Sequence, residues 1–318
     1  MRLFVLPEGI TTMHQSPLRH LLAGLLITCG ACAAAAPSDC PSAEFPVSTL
    51  RQLKSQGWAM ADADRRQALA LGLLACLSHP DPDLRDGLAF EGMSALLRGK
   101  LLTTPTQYQV YRILLAQLQS NATDAHGFAK PFAALVLSEI ARADRLQPFL
   151  EPADRVTLVS TAATYVRGVT DYRGFTTGEG WRHGVAHGAD LLMQLALNRA
   201  ITGEQLDAIV QAAQAQIVPA QSHFYIYGES DRLARPIVYA ARRGQRDAAY
   251  WQRFVDAVAS PTPLANWGDA FGSQTGLAQL HNTKSFLRAT LSLVNQLNDP
   301  AVTALMAQPL TAALAQLP

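Results

Sequence analysis

Beyond residue 45, apolar side chains recur at intervals of three and four along nearly the whole chain, as in Leu137 and Ile140, or Leu293 and Leu297. That spacing is the stripe of an amphipathic α-helix. It predicts helices over 47–56, 64–78, 82–98, 105–119, 127–143, 152–169, 181–198, 202–216, 230–243, 248–259, 274–297 and 300–317. Start signals support several of them. "SHPDPDLRD", "LEPADR" and "NDPAV" each set proline or aspartate at a first turn, where a missing N–H costs nothing and a carboxylate meets the positive end of the helix dipole. No segment alternates convincingly as strands do, and "SHFYIYGE" (222–229) reads as a loop. About a dozen helices joined by short turns predict an all-α fold of stacked helix pairs, an α-solenoid of the HEAT kind, with a closed α/α ring as the alternative. There is no strict repeat, and the proline-rich "SPTPLANW" (260–267) reads as a loop within one domain spanning 37–318.

Composition adds limits. Of 318 residues, 26 are basic and 25 acidic, a formal net charge of +1, so there is no global attraction to nucleic acid or to an anionic membrane. With 49% apolar and 16% charged residues the chain is able to bury a large core. The first 36 residues stand apart. Arg19 and His20 precede the apolar run "LLAGLLITCGAC", and "AAAAP" follows, the layout of a cleaved secretory signal peptide. The run is too short to span a bilayer comfortably. A lipoprotein reading through Cys29 is weaker because Thr28 is a poor residue before a lipidated cysteine. Export to a periplasmic or extracellular compartment then leaves an even pair, Cys40 and Cys76, expected to form one disulfide and to contribute roughly 3–4 kcal/mol by closing the loop between them.

Candidate chemistry concentrates in "DYRGFTTGEGWRHGVAHGADLL", from Asp171. A glycine-rich loop feeds a helix predicted to begin near Trp181. At about 100° per residue, His183, His187 and Asp190 fall within a sector of about 60° on one face. Gly184 and Gly188 lie beside them, each costing about 1 kcal/mol against alanine in a helix, which suits a backbone that something approaches closely. Two histidines four apart with a carboxylate from the next turn fit a zinc ion. They also fit a metal-free polar pocket in which a histidine serves as general base. The plain alternative is a structural polar seam with Trp181 in the core. "HGVAH" has Gly184 where the zinc-protease helix carries its catalytic glutamate.

Further clusters have a similar look. Glu229, Asp231 and Arg232 open the helix after the turn at "YG"; Asn282 reads as a cap, with Lys284 and Arg288 four apart on a solvated edge. Asp86 and Glu91 read as surface charge. Most of these groups lie where a loop becomes a helix, and in a stack of helix pairs such ends converge on one face. Nucleophile-elbow, dinucleotide-binding and nucleotide-binding loop motifs are absent.

"GWRHGVAHGADLL", preceded by "YRGF", resembles the signature of the domain of unknown function 2785 family, an uncharacterised bacterial family. The order of "LRDGLAFE", "FAKPFAALVLSEIARAD", "GESDRLARPI" and "NTKSFLRATL" around it is similar to that family's order of blocks. The resemblance implies a helical, HEAT-like fold and names no activity. It carries Trp181, His183, His187 and Asp190 as motif positions, with Glu229, Asp231, Arg232, Asn282, Lys284 and Arg288 as secondary ones. Lys130 departs from the arginine expected there. "GWRHG" is also loosely similar to the "WCHG" element of lanthionine synthetase cyclases, helical rings that hold zinc. Arg182 replaces the cysteine ligand, so that zinc site is not intact here. Two functions follow as expectations: an exported protein that binds a peptide, protein or small molecule in a polar pocket at His183, His187 and Asp190, or a hydrolase, with or without zinc, using the same residues.

Overall fold

The computed structural model describes residues 40–219 and 221–318. The expected signal peptide and Cys29 lie outside the described residues. Twelve α-helices follow: α1 Val47–Ser55, α2 Ala63–Leu73, α3 Glu91–Arg98, α4 Thr104–Gln119, α5 Ala129–Leu146, α6 Pro152–Gly168, α7 Gly184–Leu197, α8 Gly203–Gln214, α9 Glu229–Arg242, α10 Ala248–Ala259, α11 Gln274–Leu297 and α12 Pro300–Gln316. A 3-10 turn (Leu74–Ser78) extends α2, a π-helical stretch (Asp83–Phe90) runs directly into α3, and a second 3-10 turn (Trp267–Gly272) precedes α11. Each predicted helix is found. Side-chain caps set many of the starts: Asp62, Thr103, Thr202, Asp247, Ser273 and Asp299 each accept a backbone N–H from the first turn they open. Pro152 and Pro300 occupy first-turn positions, as expected.

The helices stack in two layers. In one, α3 packs on α5, α5 on α7, α7 on α9 and α9 on α11; in the other, α2 packs on α4, α4 on α6 and α6 on α8. Consecutive helices such as α4 and α5, or α6 and α7, join the layers. This is the arrangement of stacked helix pairs, and the protein is all-α. Among the described residues no extensive packing links α1 or α2 to α11 or α12, so the stack is open and the closed-ring alternative does not describe it. The central helices are the most buried. Val136, Leu137 and Ile140 of α5 meet Leu191, Leu192 and Leu195 of α7 in a core that continues through Ile237 and Val238 to Phe286 and Leu287. Among the described residues no helix is long and apolar enough to cross a membrane.

Cys40 and Cys76 are joined by a disulfide that ties the segment before α1 to the end of the α2 unit. The glycines of α7 have a packing role. A Cβ on Gly188 would lie 2.6 Å from the Val166 side chain and 3.2 Å from Tyr165. What approaches the α7 backbone closely is α6.

Candidate functional site

The main departure from the expected pattern is at the start of α7. Phe175–Thr176 (β1) and Gly180–Trp181 (β2) form a short antiparallel hairpin, with Phe175 opposite Trp181. Pairing continues past it: Arg182 N donates to Gly174 O at 2.9 Å and His183 N to Arg173 O at 3.2 Å. The backbone stays extended where it pairs across the hairpin, so α7 begins three residues later than expected. His183 takes a left-handed conformation (φ 52°) just outside it. The three candidate residues therefore do not share one helical face from end to end.

Two buried arginines hold the hairpin. Arg182, 2% exposed, donates to His126 O (2.6 Å), Thr176 Oγ1 (3.1 Å) and Glu179 Oε2 (2.9 Å). Arg85, fully buried, donates to His79 O, Pro80 O and Glu179 O at 2.6–3.0 Å. Both guanidiniums pack on the Phe128 ring, at 3.7 Å for Arg85 and 4.4 Å for Arg182, where the negative face of the ring favours a cation. Asp86 is thus not plain surface charge, since it pairs with Arg85 at 2.7 Å. Glu91 is, and pairs with Lys54 across the surface.

On this frame stands a group of exposed rings. Trp181 is 38% exposed, which overturns its placement in the core. It lies 4.2 Å from the His183 ring, 5.1 Å from Phe175 and 5.6 Å from Tyr227. Phe175 and Tyr227 are themselves exposed, as is Ile226 beside them. Tyr227 sits on bare backbone: a Cβ on Gly174 would fall 2.0 Å from its ring. Behind the rings, His187 is 7% exposed, with its ring edge-on to Phe132 at 5.2 Å. Its Nδ1 and the Nε2 of His183 are buried without a partner.

Asp190 does not orient either histidine. It is ion-paired with Arg232 and lies 3.8 Å from Arg235. Burial raises its proton affinity, and the two arginines oppose that. Burial, then Arg232, holds His183 at about 4; burial, then His183 and Arg232, holds His187 at about 3. Two neutral imidazoles beside an arginine are weak bases near neutral pH, where general-base catalysis is best served by a pKa close to the working pH. Among the described residues no three His, Cys, Asp or Glu side chains converge as ligands for one ion.

The secondary positions divide. Glu229 is buried at the start of α9 and accepts the Tyr227 N–H at 2.9 Å, seating one of the exposed rings. Asn282 is no cap; Ser273 caps α11. Asn282 is buried within that helix, accepting from Tyr225 N (2.9 Å) and donating to His223 O (2.8 Å), and so clamps the loop that carries Tyr227. Asp231 is exposed on the first turn of α9. Lys284 donates to the Pro318 backbone oxygen, and Arg288 lies beside it along a separate groove of about 430 Å³. These last three do not join the rings. Phe175, Tyr227 and Arg85 were missed. The signal available for Tyr227 was the aromatic run "FYIYGE", correctly read as a loop but not as a loop with exposed rings.

The depressed histidines make stability depend on pH. Each is neutral in the fold, whereas the unfolded chain takes up protons below about 6.5. The stabilisation is complete above that value and is lost as pH falls toward the folded values of about 4 and 3. For His187 the loss between pH 7 and 5 is about 2 kcal/mol. Urea melts at the two pH values should show it, with a shallower dependence in His187→Gln; equal dependence in both proteins would assign the effect elsewhere.

Stacked helix pairs presenting exposed rings, neutral histidines and an arginine–aspartate pair define the class of protein. The chain belongs to the family described as "Protein of unknown function (DUF2785)", which matches residues 114–293, more than half its length and all of the ring site. No curated protein and no solved structure matches it.

Proposed function

We propose that this is an exported binding protein, whose ligand carries a ring that stacks on Trp181, Tyr227 and Phe175 and an acidic group that Arg232 and Arg235 attract. The observation that carries the reading is the contiguous group of solvent-facing rings, with His183 and His187 behind them. Exposed aromatic clusters on a rigid frame mark interaction sites, because covering them removes apolar area at little cost in side-chain entropy. Catalysis by the same residues has less support, given the histidines' low basicity and the commitment of Asp190 to arginine. Export is supported by the Cys40–Cys76 disulfide, which persists in an oxidising compartment.

The other tryptophans, Trp58, Trp251 and Trp267, are buried, so Trp181 is the exposed indole and reports on the site. Titration with N-acetylphenylalanine and with glucuronate, each a ring with a carboxylate, should give a saturable change in fluorescence for at least one of them. The corresponding amide and glucose should bind less well. By calorimetry, Trp181→Ala should weaken the interaction by about tenfold or more, the scale of one lost stacking contact. Binding undiminished in Trp181→Ala, or no response to either acid, rejects the reading.

A further inference from the structure

A sizeable cleft lies apart from the ring site. It has a volume of about 730 Å³ and lies between the end of α4, the loop leading to α5, the exposed side of α6 and the segment 169–171. That volume falls within the range of small-molecule sites. Leu118, Tyr165 and Val169 supply apolar floor, and Thr123, Ser160 and Thr164 supply hydroxyls at the rim.

The charges around the cleft are nearly all engaged. Both oxygens of Asp124 accept backbone N–H groups, from His126 and from Ala129 at the start of α5. Asp171 is paired with Arg173, and Arg182 with the hairpin. Some neutral polar groups are engaged as well: Tyr165 donates its hydroxyl to Gly184 O at 3.1 Å, and Gln119 donates to Thr161 at 2.9 Å. Lys130, half-buried on the first turn of α5, is left with no hydrogen bond or ion pair among the described residues. The cleft thus offers an apolar floor, with the Lys130 ammonium at its edge held by no ion pair among the described residues.

We propose that this cleft is a second binding site, distinct from the ring site, which takes an organic anion with a single acidic head and an apolar body. The head meets the Lys130 ammonium, and the body lies along Leu118, Tyr165 and Val169. A carboxylate on Lys130 gains a charge-assisted hydrogen bond, and the body removes apolar surface from water. Arginine at this position would preserve the charge, whereas glutamine would keep the length and lose it.

The probe is 8-anilinonaphthalene-1-sulfonate, one sulfonate on an apolar body, added to the folded protein. Saturable one-to-one binding is expected, displaced by decanoate and far less by decanol. Lys130→Gln should weaken it by roughly tenfold or more, the scale of one hydrogen bond to a charged group; Lys130→Arg should retain it. Since Lys130 makes no contact that the fold needs, the glutamine variant should melt with the parent. Thr164→Trp, which fills the mouth, should block binding by a second route. Trp181→Ala should leave it unchanged, which separates this site from the ring site. The proposal is overturned by non-saturable binding, by equal affinity in Lys130→Gln, by decanol displacing as well as decanoate, or by loss of binding in Trp181→Ala.

Discussion

Arg85→Met should lower stability by about 3–5 kcal/mol, the range found when one member of a buried charged network is removed. Its guanidinium is fully buried and donates to three carbonyls, two in the turn before the π-helical stretch and one, Glu179 O, in the hairpin loop. Methionine fills most of the space but leaves those carbonyls without their donor and Asp86 without its ion-pair partner, and each orphaned buried group carries its own desolvation cost. The fit around the side chain is close: a Cβ on Gly180 would already sit 3.0 Å from Arg85 Nη2. A second effect should accompany the first. With the Glu179 anchor gone, the hairpin should loosen and acrylamide should quench Trp181 more readily. Arg51→Met is the comparison, because Arg51 pairs with Asp83 on the surface at 2.6 Å, where solvent screens such a pair and it contributes little. A urea midpoint for Arg85→Met no lower than that of Arg51→Met would show that the network is not what holds the hairpin.

The same residues explain which features were legible from the chain alone. Helix limits are local properties: Asp299 caps and Pro300 opens α12 through atoms within a few residues of each other, so that start was readable. The start of α7 was not, because the competing structure is a hairpin held by Arg85, whose anchor lies 94 residues from the Glu179 carbonyl that it binds. A 3.6-residue period extrapolated backwards has no means of sensing that. Asn282 shows the same limit. Its letter suits a cap, yet its partners are His223 and Tyr225, and burial makes it a clamp within a helix. The ring site falls between these cases. Trp181 and His183 stood out within one motif, but Phe175 and Tyr227 complete it from a hairpin and a loop 52 residues apart. The chemistry of His187 also changed with burial. A histidine near the middle of its titration range in water becomes a poor base when enclosed beside Arg232, which moves the weight from catalysis to binding.

Asp144→Ala is expected to cost about as much as Arg85→Met, about 3–5 kcal/mol, by a different route. Asp144 is almost fully buried at the end of α5. One oxygen accepts from Phe149 N, Leu150 N and Arg155 Nη2 at 2.8–2.9 Å; the other accepts from Arg155 Nε at 2.7 Å and Asn198 Nδ2 at 3.0 Å. One carboxylate therefore closes the α5–α6 turn, fixes the first turn of α6 and ties the end of α7 to both. Burial alone would push its pKa up, but Arg155 and the two backbone N–H groups outweigh that and hold it below the ordinary aspartate value. The sign follows: its stabilisation is present above the unfolded value of about 3.9 and is lost only below it, in a more acidic window than that of His187. Alanine leaves Arg155 and two buried N–H groups unpaired at once. Asparagine presents an N–H₂ where only acceptors are wanted and should recover little. Denaturation at pH 7 checks both variants. A loss under about 1 kcal/mol in Asp144→Ala would mean that water or a rearranged Arg155 replaces the carboxylate. Because α5 and α7 are the helices that position Phe132 against His187, a full loss should also shift the pH dependence assigned to that histidine, whereas a purely local defect at the turn would leave it in place.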